Sequence, residues 1–239
     1  MQDKVAIVTG AASGIGAEVS RQLVDKGVNV TLMDIDTDAG LSLADQLDAR
    51  FVRCDVADVE SCNAAIAECI ERAGIPDFVH LNAGIMSVGA NDAFLPIDEV
   101  PLANYRRIVG VNLDGVVFGL RALMPHMRER GGAITVTASI AGLIGMSIDP
   151  FYAATKHALV GLVRSVAQAM GDAPLRINAI CPGAVDTPIV PDALKNGSID
   201  LMPVAVLAKE VLDLLANGGQ GEVRVRLSDA AFSVEQHAL

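Results

Sequence analysis

Short runs rich in Val, Ile, Leu and Ala alternate along the chain with longer stretches whose apolar positions recur every three or four residues. The short runs predict strands at residues 4–8, 29–33, 50–53, 77–81, 133–136, 175–180 and 222–226. Between them the longer pattern predicts helices at 14–26, 38–47, 59–72, 102–129, 151–170 and 203–216. In the second of these, Leu41, Ala44 and Leu47 fall on one helical face. Gly27, Gly74 and Gly131 stand just past predicted helix ends, where a left-handed terminator belongs. Strand–helix alternation of this kind implies an α/β fold, a doubly wound, mostly parallel sheet of about seven strands with helices on both faces.

One stretch breaks the rhythm. Residues 184–202, after the sixth strand, are rich in Pro, Asp, Gly and Asn and long for a connection in a compact domain. They are expected to form a substrate lid; a plain surface excursion is the alternative. No repeat or linker divides the chain, so residues 1–239 are expected to form one domain.

Composition narrows the class. Apolar residues make up 51% and aromatics only 3%, with no Trp, which suits an aliphatic core of buried parallel strands. A net charge of −11 argues against nucleic acid and anionic membrane surfaces as partners. Nor does any uninterrupted apolar run reach membrane-spanning length, and with Asp3 and Lys4 leading straight into Val5-Ala6-Ile7-Val8 no secretory leader is expected. The expected compartment is the cytoplasm. Cys54, Cys62, Cys69 and Cys181 lack metal-ligand spacing, so no metal is expected and reduced, packed thiols are the simplest account.

Candidate chemistry begins at Thr9-Gly10-Ala11-Ala12-Ser13-Gly14-Ile15-Gly16, between the first strand and the first helix. Such glycines permit a tight turn and let backbone approach a pyrophosphate at a helix N-terminus, the arrangement of a Rossmann fold. Eighteen residues after Gly16, Asp34 ends the second strand, followed by Ile35. A carboxylate there suits the adenosine ribose hydroxyls and repels a 2′-phosphate; no cation among Ala11, Ala12, Ser13 or Ile35 would receive one. The expected cofactor is NAD. Farther on, Tyr152 and Lys156 lie four apart on one helix face in small, apolar surroundings. A phenol is a poor base at neutral pH unless a nearby cation stabilises its anion.

With these motifs in order, the sequence resembles the short-chain dehydrogenase/reductase family over nearly its whole length. Asp55-Val56, Asn82-Ala83-Gly84, Asn112, Ser139 thirteen residues before Tyr152, and Pro182-Gly183 with Thr187 all match. The resemblance implies that Ser139 bonds the substrate oxygen, Tyr152 exchanges the alcohol proton, and Lys156 lowers the phenol pKa and holds the nicotinamide ribose. It implies that Asn112 interrupts its helix and positions a water toward Lys156. Gly10, Ser13, Gly14, Ile15, Gly16, Asp34, Ile35, Asp55, Val56, Asn82, Ala83, Gly84, Tyr152, Lys156, Pro182, Gly183, Val185 and Thr187 would bind the cofactor. Cys54-Asp55-Val56-Ala57-Asp58 and the stretches around Lys156 and Pro182 look most like the NAD-linked 15-hydroxyprostaglandin dehydrogenase branch.

The chain also departs from the pattern. Leu81 stands where the family usually has the first of two asparagines, and His80 precedes it as a strand residue without metal partners. The substrate walls are expected from Met86 and Val88, from Leu143, Ile144 and Met146, and from Ile189, Val190, Leu194 and Met202. Asp149, three residues before Tyr152, is either a substrate-hydroxyl acceptor or a solvated loop carboxylate. The expected substrate is a small hydrophobic secondary alcohol or its ketone. Family members pair through the long helices, so a homodimer or homotetramer is expected, with Ala158, Leu162, Val166 and Met170 on an outward face. An NADPH-type biosynthetic ketoreductase and a silent NAD-binding regulator on the same fold are the rival readings.

Overall fold

Parallel strands buried on both faces need nearly continuous apolar sequence, and the run Val5-Ala6-Ile7-Val8 is at most a few percent exposed from Ala6 onward. A computed structural model of the chain describes residues 1–89, 92–192, 195, 200–228 and 234–236. The strands are β1 (Val5–Thr9), β2 (Asn29–Asp34), β3 (Arg50–Arg53), β4 (Phe78–Leu81), β5 (Gly132–Thr137), β6 (Leu175–Pro182), β7 (Val223–Arg226) and β8 (Val234–Gln236). They form one sheet in the order β3-β2-β1-β4-β5-β6-β7-β8, parallel throughout except for β8, which runs antiparallel along β7. The direction of progression reverses between β1 and β4, and such a switch point opens a crevice at the carboxyl ends of the strands.

Helices α1 (Gly14–Asp25), α2 (Thr37–Leu47) and α7 (Val204–Asn217) cover one face. The other carries α3 (Val59–Ala73), α4 (Leu102–Val109), α5 (Gly115–Met127) and α6 (Pro150–Met170). Aspartates start three of them: Asp36, Asp58 and Asp149 accept hydrogen bonds from first-turn amides of α2, α3 and α6. Positive φ at Gly27, Gly74 and Gly131 agrees with the expected terminators.

Three departures matter. Residues 102–129 are not one regular helix, because a π-helical turn at Gly110–Asp114 separates α4 from α5. Leu102–Met127 is nonetheless long and apolar enough by length and composition to cross a membrane. In this fold its Ile108, Val116, Leu120, Leu123 and Met127 are buried. Met170, expected outward, is buried in the core, with Leu162 and Val166 packed against it, whereas Leu102 and Tyr105 on α4 are exposed. Strand β8 was not expected from the sequence. All four cysteines are free and buried.

Candidate active site

At the crevice lies a cavity of about 510 Å³, bounded by the carboxyl ends of β1, β2, β4, β5 and β6 and the loops that follow. One end is the glycine turn. Gly10 takes φ +61°, and a Cβ there would come within 2.8 Å of Ala83 Cα. Thr9 Oγ1 accepts from the amides of Asn82 (2.9 Å) and Ala83 (3.2 Å), and Asn82 Nδ2 donates to Thr9 O (3.2 Å) and Gly10 O (3.3 Å). Asn82 thus fastens β1 to β4 under the turn. Ser13, Gly14 and Ile15 face the cavity. Gly16 does not: a Cβ there would lie 2.1 Å from Gly10 O, so this glycine serves close packing of α1 behind the turn.

Asp34 borders the same end. Its carboxylate accepts from Ala12 N (2.9 Å) and Asp36 N (3.0 Å), bracing the turn while remaining at the cavity wall. Ile35, Asp55 and Val56 line the wall beside it, joined by Cys54, which sequence reasoning treated only as a packed thiol. Ala83 and Gly84 lie along the floor. Pro182, Gly183, Val185 and Thr187 close it from β6. The Thr187 methyl lies 3.2 Å from where a Cβ on Gly14 would be, so the loop after β6 folds down upon the glycine turn.

Ser139, just past β5, and Tyr152 and Lys156, on one face of α6, meet where this groove deepens. Lys156 Nζ sits 5.4 Å from the Tyr152 ring centroid and donates to Thr137 O at 2.8 Å. Burial pushes the tyrosine up to about 12; a hydrogen bond with Ser139 opposes that rise, and the Asp149 carboxylate adds to it. Burial likewise brings Lys156 down to about 8. Within the protein alone the phenol thus stands above its ordinary value, with burial the largest cause. Lys156 is buried and Tyr152 is half-buried at the cavity wall, and desolvation disfavours both charges.

Asn112 sits in the π turn and is fully buried, with no part in the cavity wall. Its Oδ1 accepts from Ile85 N (2.8 Å), and its Nδ2 donates to Ile85 O (2.9 Å) and Thr155 Oγ1 (3.2 Å). A Cβ on Gly84 would lie 3.4 Å from Lys156 Nζ and 3.5 Å from Asn112 Oδ1, so the two groups border the same small space.

Asp149 is neither of the things expected of it. It is 1% exposed, and its oxygens accept from Tyr152 N (3.0 Å) and Ser87 N (2.9 Å). The carboxylate caps α6 and ties the loop after β4 to the helix that carries the tyrosine. The signal was present in the sequence, since Asp followed by Pro150 at the first helical position is a start signature.

Beyond the tyrosine the wall is apolar. Met86, Ile144, Met146, Ile189 and Val190 line it as expected, with Ile85, Ile140, Ile148 and Pro188 added. Leu143 and Met202 do not; Leu143 packs against the core, and Met202 is buried in a bridge to Val185 that ties together the two ends of residues 184–202. Val88 is buried outside the wall, and Leu194 lies outside the described residues. His80 is a fully buried strand histidine, as expected.

Comparison with known proteins agrees with this geometry. The short chain dehydrogenase family profile matches residues 4–197. The trans-4-hydroxycyclohexanecarboxylate dehydrogenase of Sinomonas cyclohexanicum is 35% identical over 206 residues, covering 82% of this chain and 77% of that protein. Cyclohexanol dehydrogenase of Acinetobacter sp. strain SE19 is 32% identical over 222 residues, 90% of this chain and 86% of that one. Among solved structures, a 3-ketoacyl-(acyl-carrier-protein) reductase from Brucella melitensis complexed with NADH superposes with a TM-score of 0.85 at 26% identity, covering 95% of this chain and 96% of that chain. A glycine turn braced by Asn82, a Ser139–Tyr152–Lys156 cluster and a family match over most of the sequence lead to one conclusion: this chain belongs to the short-chain dehydrogenase family.

Proposed function

We propose that the chain is an NAD-dependent dehydrogenase that interconverts a neutral, hydrophobic, cyclic secondary alcohol and its ketone. The observation that carries this reading is the distribution of charge in one continuous cavity. Its charged side chains, Asp34, Asp55 and Lys156, all belong to the coenzyme end, and the far end is closed by Ile, Met, Val and Pro. Among the described residues, an anionic substrate would find no compensating cation there. The names of the two relatives above support a ring-bearing alcohol; the first is named for an alcohol that carries a carboxylate, so the neutral part of the reading rests on the cavity lining alone.

The residues present fit a nicotinamide dinucleotide. The turn at Gly10–Gly14 carries only small side chains where a pyrophosphate would lie against α1, and Asp34 offers a carboxylate for ribose hydroxyls. Ala11, Ala12, Ser13 and Ile35 supply no cation for a 2′-phosphate, which favours NAD over NADP. When bound, the oxidised coenzyme supplies the acceptor for the hydrogen that leaves carbon with its electron pair. The chain's own task is the proton. Ser139 and Tyr152 converge so that one substrate oxygen can bond both, and the deprotonated phenol takes the hydroxyl proton during oxidation. Lys156, anchored on Thr137 O, holds positive charge near the phenolate as it forms and dissolves. The space bordered by Lys156 and Asn112 is the proposed exit for that proton.

The test is steady-state kinetics across a panel of alcohols with NAD and NADP. Cyclohexanols bearing alkyl groups are expected to gain kcat/KM as bulk is added, each buried methylene contributing about 0.8 kcal/mol. NAD is expected to surpass NADP by more than about tenfold, and Asp34→Ser to narrow that gap. Preference for carboxylated alcohols at equal bulk, or for NADP, would overturn the reading. The proposal includes a cytoplasmic location, a lid role for residues 184–202, and closed self-association using exposed Leu102 and Tyr105. Light scattering that reports only monomer would reject the last.

A further inference from the structure

Of the histidines among the described residues, only His80 is buried, and the chemistry above makes no use of it. It stands on β4 two residues before Asn82, so the two side chains leave the same face of the strand. Its Nδ1 lies 3.2 Å from Thr135 O and its Nε2 3.2 Å from Thr137 Oγ1. That same hydroxyl lies 3.1 Å from Asn82 Oδ1.

Counting protons shows a conflict. Thr135 O can only accept, so Nδ1 carries the ring proton. Burial pushes the imidazole down to about 4, so at neutral pH the ring is uncharged and Nε2 can only accept. Asn82 Nδ2 is engaged with Thr9 O and Gly10 O, which fixes the amide orientation and leaves Oδ1 as an acceptor. Two acceptors therefore face one hydroxyl proton. The residue they contend for is central: the carbonyl of Thr137 receives Lys156 Nζ, and Asn82 fastens the glycine turn.

We propose that His80 is a positioning residue that competes with Asn82 for the Thr137 hydroxyl proton and so sets how firmly the glycine turn is held for the coenzyme. The competition has a direction that simple structural support does not. Withdrawing the Nε2 acceptor commits the hydroxyl to Asn82 and braces the turn more tightly, whereas losing a mere strut would loosen it. The inference rests on the coenzyme site proposed above, and its test has one arm that does not.

That arm is nitrogen NMR of the unmodified protein labelled at histidine. At pH 7 the His80 ring is expected as the Nδ1–H tautomer; an Nε2–H tautomer or an imidazolium overturns the proposal. The second arm measures the dissociation constant of NADH by fluorescence titration. His80→Asn retains a donor to Thr135 O but withdraws the acceptor from Thr137, and NADH should bind about threefold tighter, as for half an ordinary hydrogen bond. His80→Gln places an acceptor near the original Nε2 and should restore the unmodified value. Thr137→Val denies both acceptors their donor and should weaken binding. Unchanged or weaker binding in His80→Asn, or failure of Gln to restore it, refutes the proposal. Should His80→Asn fail to fold, the tautomer decides. Absence of NADH binding by the unmodified protein would sink the proposed function, and the nitrogen spectrum would still judge the hydroxyl's partner.

Discussion

Gly16 offers a test in which geometry fixes the answer before any assay. A Cβ at this position would lie 2.1 Å from Gly10 O and 2.8 Å from Asn82 Nδ2. Carbon and oxygen tolerate an approach of about 3.3 Å, so Gly16→Ala must separate α1 from the turn by roughly 1.2 Å. Overpacking of that kind typically costs about 1–3 kcal/mol of stability. A displacement of this size at a binding loop is worth about a hundredfold in kcat/KM. Urea denaturation and steady-state kinetics of the variant should show both losses together, with NADH affinity weakened alongside. Asn82→Ala in the same chain should not rescue them, because the nearest obstacle is the backbone oxygen of Gly10 rather than the amide side chain. A Gly16→Ala protein with unmodified stability and normal NADH affinity would refute the reasoning, and with it the placement of α1 against the turn.

Three more outcomes follow from the site. Oxidation should quicken about tenfold per pH unit through neutrality, because the working phenolate is scarce below a phenol pKa near 12, and Tyr152→Phe should abolish turnover while NADH binding persists; a Phe variant with most of its turnover would point to another base. Asp149→Asn removes a negative charge that raises the phenol, so the acid limb of the pH–rate profile should move to lower pH. Its new amide also faces the Ser87 N–H donor to donor, so unfolding free energy should fall by about 1–3 kcal/mol; an unmoved limb would count against the charge argument. Finally, the folded His80 value of about 4 lies below its ordinary 6.5, so its contribution is whole above pH 6.5 and is lost as pH falls toward 4. Urea midpoints in that window should report a loss of up to about 3 kcal/mol that His80→Gln lacks.

Much of the fold was legible because its signals are local. Strands β1, β2, β4, β5 and β6 carry apolar runs that announce themselves, and Gly10–Gly16 and Asp34 belong to one strand–helix–strand unit that needs no distant information. The rest was hidden for physical reasons. Strand β8 is three residues long and has no periodicity to read. The π turn at Asn112 inserts one residue into a helix, which leaves the apolar pattern on either side almost undisturbed. Asp149 carries the same letters whether it faces substrate or caps α6, and only its bond to Ser87, sixty-two residues away, decides. The direction of the Tyr152 shift depends on how far the folded cavity wall desolvates the phenol, and no spacing along the chain records that.

The strand order has a consequence for how the molecule comes into being. Val5 meets Asn29 across 24 residues, while Ala6 must find Phe78 across 72. Joining β1 to β4 therefore carries about 1 kcal/mol more loop-closure entropy than joining β1 to β2. Parallel pairings of such long range are slow to form. During synthesis the β1–α1–β2 unit can settle early, with its glycine turn shaped but not yet fastened by Asn82. Ser139, Tyr152 and Lys156 arrive on a second body that docks only when this long gap closes. Refolding monitored by NADH binding should thus lag behind refolding monitored by secondary structure, with the nucleotide end acquired first and the proton-transfer machinery last.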